Sequence, residues 1–184
     1  MTFRNTTRSW GALTKALHWI IVILIIAQFF IASRAHSLPR GPALIEAWGW
    51  HKSIGMTIFM LAVIRLVWRW MNPVPDLRAE IQPWEQTLAK ISHVLLYALL
   101  FAVPLTGWMM SSARNFPVSW FSLFQWPDLV APDPALSKTF ETTHETLVKV
   151  LFGIALLHIA GALKHHFIDK NQVLKRMLPF GGVK

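Results

Sequence analysis

Four long apolar runs, separated by polar and proline-bearing segments, dominate the pattern along the chain. The first predicts a helix over about 13–33 and includes the uncharged stretch WIIVILIIAQFFIAS. The second covers about 47–71 and ends in VIRLVWRWMNP, where Pro73 stops it. The third, about 85–114, has no Asp, Glu, Lys or Arg between Ile91 and Ala113, and the fourth runs over about 137–167. Each exceeds the roughly 20 residues needed to cross hydrocarbon. The uncharged parts of the second and fourth are shorter, so those helices need a polar face turned into a bundle. The pattern therefore predicts one all-α domain over 1–184, an integral membrane four-helix bundle.

Composition agrees. Hydrophobic residues make up 54% and charged residues 15%, against roughly 25% charged in soluble domains. The first apolar run begins near Ala16 without an A-x-A-like cleavage pattern, so it reads as a retained helix. The ten tryptophans fall near the proposed helix ends, where amphipathic rings settle at headgroup level. Membrane lipid is thus the first expected partner.

The net charge of +9 sets orientation. Lys and Arg flank the apolar runs instead of forming a basic stripe on a soluble module, which argues against nucleic acid. Three lie at the N-terminus, four around the middle loop and five in the tail, against six on the other side. The positive-inside rule then puts both termini in the cytoplasm. The loop from Asn115 to Leu136 faces outward, and its Phe, Trp and Pro residues suggest a short segment lying at the outer interface.

Histidine spacing adds chemistry. His144 and His158 are fourteen residues apart on the fourth helix, on one face and separated by roughly 21 Å along its axis. His51, near the outer start of the second helix, is level with His144. His18 and His93 are level with His158, and Arg65 follows His51 by fourteen residues. An outer layer thus holds His51, His144 and Gly107, and an inner layer holds His18, His93, Arg65 and His158. Gly55, Gly153 and Gly161 leave room near these layers for a flat macrocycle, and small residues equally serve helix contacts.

Polar groups at matched depths in hydrocarbon are costly and usually functional. The chain has no cysteine, which removes disulfides, iron–sulfur clusters, thiolate ligands and covalent haem attachment. Histidine pairs without a cysteine or carboxylate complement suit haem axial ligation better than zinc. A histidine-based proton or ion carrier stays open at this level.

Several motifs resemble the bacterial cytochrome b561 proteins, a family that includes membrane superoxide oxidases. They are LHW at Leu17–Trp19, WHKSIG at Trp50–Gly55, VIRLVWR at Val63–Arg69, SHVLLYALLFAVPLTGWMMSSA at Ser92–Ala113, THE at Thr143–Glu145 and LHIAGALKHHFIDK at Leu157–Lys170. The likeness runs in order through nearly the whole chain. It implies a four-helix bundle in the bacterial inner membrane with two b haems, each held by two histidines. Carried over, the outer haem uses His51 and His144, and the inner haem His18 and His158. Depth alone leaves His93 as a rival to His18; if it is not the ligand, contact with a propionate or the quinone is the role left to it.

The resemblance also implies an oxidoreductase that moves electrons from an outer one-electron donor, superoxide or a periplasmic redox partner, to ubiquinone. A cytochrome subunit relaying electrons between quinone and another redox protein is the alternative. Superoxide is an anion, so a cationic outer mouth would raise its encounter rate. Lys52 and Arg40 are candidates for that role, with Arg34, Arg114 and Lys138 behind them. Lys149 is the remaining outer cation, and snorkelling explains it. Lys164, His165 and Arg69 are candidates for the quinone. His165 lies seven residues beyond His158 on nearly the same face and titrates near neutral pH. Arg65 is a candidate for a haem propionate.

Overall fold

Three of the four long helices begin on a proline, whose fixed φ and missing N–H suit the first helical position. In the computed structural model, which describes residues 2–7, 9–76 and 81–180, the elements are α1 (Ala12–Ser37), α2 (Pro42–Trp70), α3 (Pro83–Ala113), β1 (Ser119–Trp120), β2 (Phe124–Gln125), α4 (Pro134–Phe167) and α5 (Val173–Met177). Arg8, Arg78 and Lys184, which enter the charge count, lie outside the described residues. The four long helices have 26, 29, 31 and 34 residues, with mean hydropathies of 2.3, 1.4, 1.8 and 2.0 over their most apolar stretches. Large apolar side chains such as Ile23, Phe30, Val94 and Leu157 are exposed, as a lipid-facing surface requires. The chain is a multi-pass membrane protein with the expected all-α fold.

The helices start two to five residues earlier than hydropathy indicates beyond the first, and at α3 and α4 local capping sets the start. Asp133 precedes Pro134, and its Oδ1 accepts the N–H groups of Ala135 and Leu136 at 2.8 and 3.0 Å, an N-cap. At α3, Glu85 Oε2 accepts the Gln82 N–H at 3.1 Å, one half of a capping box. The other end of α3 closes in a Schellman turn. There Asn115 takes φ 54°, with bonds from Asn115 N to Ser112 O and from Phe116 N to Ser111 O.

The contacts divide the chain into two compact units. The first comprises Met1–Ile20, Val63–Ala98 and Val150–Lys184. Its polar centre is a hook formed by the N-terminal segment. Asn5 Oδ1 accepts Gly11 N at 2.9 Å and the Thr14 hydroxyl at 2.6 Å, and Asn5 Nδ2 donates to Pro73 O at 3.0 Å. Thr14 Oγ1 accepts Trp68 Nε1 at 3.0 Å, which ties α1 to the end of α2. Asn5 and Thr14 are buried, so these mutual bonds are what makes their burial tolerable. The short α5 was not anticipated; Met177 O accepts Trp19 Nε1 at 2.9 Å.

The second unit comprises Ile21–Ala62 and Leu99–Lys149. Here the loop after α3 folds onto α2. Lys52 Nζ donates to Pro117 O at 2.8 Å, Phe116 O at 3.2 Å and Ser111 Oγ at 3.3 Å, and lies 3.5 Å from the Phe116 ring centre. Ser53 Oγ bonds Ser119 O and accepts Phe121 N, both at 3.0 Å. Trp120 Nε1 donates to Thr57 Oγ1 at 3.1 Å. The β1–β2 hairpin turns through Phe121 and Ser122 at φ 47° and 60°. That left-handed pair is what a tight hairpin turn demands, although neither residue is glycine. Its tip exposes Phe121, Leu123 and Phe124, the apolar segment expected in this loop.

Candidate functional site

The histidines gather in two groups, one in each unit. In the second unit, α2 presents His51 and α4 presents His144, with ring centres 6.4 Å apart and planes at 77°. The segment Val103–Gly107 of α3 builds the seat for His144. Its Nδ1 lies 2.9 Å from Val103 O and 3.4 Å from Thr106 Oγ1. Facing a carbonyl, Nδ1 must carry the proton, so Nε2 is the atom left to ligate. Gly107 leaves the space the ring occupies: a Cβ there would lie 3.0 Å from His144 Cε1 and 3.2 Å from its Nδ1. The glycine read as space in the outer layer is thus space for the imidazole itself.

His51 packs edge-on against Trp48, at 5.4 Å between ring centres, and Trp48 against the exposed His36 at 5.2 Å. Its Nδ1 is buried without a hydrogen-bond partner among the described residues. Such an atom calls for a ligand or a bridging group.

In the first unit, α1 presents His18, α3 presents His93 and α4 presents His158. The His18 and His158 ring centres are 6.5 Å apart with planes at 75°. Those of His93 and His158 are closer, at 5.3 Å. Arg65 Nη1 donates to Thr14 O at 2.9 Å, one turn before His18. Arg65 and Arg69 are half-buried on α2. A Cβ built on Gly153 or Gly161 would meet nothing within 4 Å.

The spacings bear on chemistry. A metal held by one nitrogen from each of two imidazoles, at about 2 Å per bond, sets the ring centres about 6 Å apart. The His51–His144 and His18–His158 pairs both meet that distance, and the His93–His158 pair is short of it. The donor sets are imidazoles alone, without thiolate or carboxylate, and the orphaned His51 Nδ1 lies within one of them. These residues fit bis-imidazole haem.

The charged candidates have definite partners. Lys52 spends its ammonium hydrogens on oxygens of Ser111, Phe116 and Pro117, as described above, while Arg40 and Arg34 are exposed before α2 and Lys149 is exposed on α4. Arg114 pairs with Glu141 at 2.7 Å, and Lys138 with the same carboxylate at 2.8 Å. On α4, Lys164 Nζ lies 2.6 Å from Glu85 Oε1 and 2.8 Å from Asp169 Oδ2. His165 Nδ1 lies 2.8 Å from the same Asp169 oxygen. The hydrogen bond from Lys164 holds the Asp169 carboxyl below its ordinary range. Glu85, His165 and Asp169 bring their ligand atoms within 4.8 Å of one another, but the Lys164 ammonium bridges the two carboxylates and offsets one of their two charges. The cluster is an ion-pair network.

Sequence reasoning missed Glu85 and Asp169 as partners of Lys164, and Val103 and Thr106 as partners of His144. For the latter a signal existed. A P-L-T-G run inside an apolar helix marks a place where backbone and hydroxyl groups are available to a neighbour.

A model of the family described as prokaryotic cytochrome b561 matches residues 9–180. The chain is 34% identical over 185 residues to cytochrome b561 homolog 2 of Escherichia coli (strain K12), covering 97% of this chain and 95% of the relative. It is 25% identical over 165 residues to cytochrome b561 homolog 1 of the same organism, covering 89% and 93%. It is also 25% identical over 174 residues to the probable superoxide oxidase CybB of Yersinia pestis, covering 94% and 97%. The match through all four long helices, joined to two histidine pairs at haem spacing, means that the chain belongs to the prokaryotic cytochrome b561 family of membrane electron-transfer proteins, which carry b-type haem.

Proposed function

We propose that the protein is an oxidoreductase of the inner membrane that takes electrons singly from a donor on the outer side, superoxide foremost, and delivers them to ubiquinone. The observation that carries this reading is the equal ring-centre spacing of His51–His144 and His18–His158, 6.4 and 6.5 Å. Two b haems, one in each pair, would supply one-electron redox chemistry. Held by two imidazoles, each haem would favour electron transfer over oxygen binding.

The chain's own residues do the rest. Val103 O fixes the His144 tautomer, and Gly107 keeps its ring in place. His93 stands beside His158 without the spacing of a coaxial ligand, which suits contact with a propionate or the quinone. Arg65 joins it as a propionate partner. Both termini are taken as cytoplasmic, from the distribution of Lys and Arg. Arg40, with Lys52 contributing charge from within its carbonyl cage, favours approach of an anion at the outer side.

At the inner side, Lys164, His165 and Arg69 form the quinone-facing group. Asp169 orients the His165 ring through Nδ1 and leaves Nε2 for a quinone oxygen. The overall reaction turns two superoxide anions into two dioxygen molecules, while one ubiquinone gains two electrons and two protons. The superoxide donor rests on the name of the Yersinia pestis relative alone.

The test is to expose purified protein to a superoxide source with ubiquinone present. Reduction of a b-type spectrum and formation of one quinol per two superoxide anions are expected. Failure to reduce the protein faster than spontaneous dismutation removes superoxide as donor and favours a relay between quinone and another redox protein. Absence of any b-type spectrum would sink the haem reading altogether.

A further inference from the structure

Gln28 interrupts the apolar run of α1, the helix with the highest mean hydropathy, 2.3. An amide in hydrocarbon costs free energy unless its donors and acceptors are matched. Its Nε2 donates to the backbone oxygen of His51 at 2.8 Å. Because the amide faces a carbonyl there, its nitrogen must be on that side and its oxygen on the other. That Oε1 is buried and, among the described residues, has no hydrogen-bond partner; the same is true of His51 Nδ1. One atom is an acceptor. The other, on an imidazole that ligates through Nε2, is a donor. α2 makes room for the arrangement, since a Cβ on Gly55 would lie 3.1 Å from Gln28 Nε2.

We propose that Gln28 is a positioning residue for His51: its N–H anchors α2 at the carbonyl of that residue, and its Oε1 and the His51 Nδ1–H hold one ordered water between them. This rests on the reading of His51 as a haem ligand. A buried water of this kind needs polar partners of both senses, which these two atoms supply. The two histidines of the pair then differ in a defined way. His144 gives its Nδ1–H directly to the Val103 carbonyl, and His51 gives its own to an amide through water. An acceptor on Nδ1–H raises the basicity of the ligating nitrogen and favours oxidised iron. Removing Gln28 therefore raises the reduction potential of the site built on His51.

The experiment is a spectroscopic redox titration of the purified full-length haem-loaded protein, with haem content measured in each variant. The wave lost in His51→Ala identifies the outer site. Gln28→Met, which removes donor and acceptor at similar length, should raise the potential of that wave and leave the other unchanged. Gln28→Glu, which retains an acceptor, should keep it at or below the wild-type value. Gly55→Ala, which presses a methyl group on the amide but leaves its donor and acceptor in place, should move it in the same direction as Gln28→Met by less.

An unmoved outer wave in Gln28→Met with both haems bound overturns the proposal. If Gln28→Met loses the outer haem, Gln28→Glu decides: a retained haem at or below the wild-type potential supports the proposal, and a raised potential or lost haem overturns it. If His51→Ala keeps both haems, the ligand assignment fails instead, and this inference falls with it for that separate reason.

Discussion

The Nδ1 atom of His144 lies 2.9 Å from the carbonyl oxygen of Val103, a contact between α4 and α3 that sets the tautomer of the imidazole. Gly107, one turn further along α3, faces the same ring. The pair defines where His144 can be and which nitrogen it offers.

Gly107→Ala is expected to displace the ring, because its Cβ would fall 3.0 Å from Cε1. Overpacking of this kind costs roughly 1–3 kcal/mol. Haem per chain should fall toward half, with the inner spectrum kept. A pyridine haemochrome assay against protein concentration checks this, and full haem content in Gly107→Ala contradicts it.

His18→Ala should lose the inner haem, and His93→Ala should retain both. The basis is the 6.5 Å spacing of His18–His158 against 5.3 Å for His93–His158. Haem stoichiometry and low-temperature difference spectra distinguish the two variants. The reverse pattern would make His93 the ligand.

Lys52→Met removes the ammonium that holds Phe116 O and Pro117 O to α2. Lost charge-assisted bonds of this type cost on the order of 2 kcal/mol, so the melting temperature should drop and the loop should become protease-sensitive. Arg40→Gln should leave stability unchanged and slow reduction by an anionic donor at low salt only. Equal melting curves for Lys52→Met and wild type would remove the clamp.

Asp169 gives a pH dependence. Its carboxyl is held below the ordinary value of 3.8 by the hydrogen bond from Lys164. A depressed folded-state pKa contributes stability that is complete above the unfolded value and is lost as pH falls through the folded one. Wild type should therefore melt higher than Asp169→Asn at neutral pH, with the difference shrinking only below the ordinary carboxylate range. A difference that vanishes nearer neutrality would assign the effect to another group.

Ser122→Gly should raise stability by about 1 kcal/mol, since φ 60° is left-handed and a non-glycine residue resists it. Thermal melts read this directly. A lower melting temperature would mean that the Ser122 side chain makes a contact worth more than the strain.

Run length and apolar content alone determined the four membrane helices, because hydrocarbon thickness leaves few alternatives for twenty apolar residues in a row. The fourteen-residue interval from His144 to His158 equally determined that both share a face of α4, a consequence of the helical repeat. Hydropathy puts the helix starts later than Pro83 and Pro134 because it does not register capping, which the polar residues Glu85 and Asp133 perform there. Depth along the helices ranked His18 and His93 equally. Their distances to His158 depend on the direction in which each helix turns its side chains, and only packing decides that. The same holds for the pairing of Lys52 with the Phe116 carbonyl and of Lys164 with the Glu85 carboxylate, 64 and 79 residues apart in the chain. Periodicity describes one helix at a time; which side chains meet is a property of helices packed together.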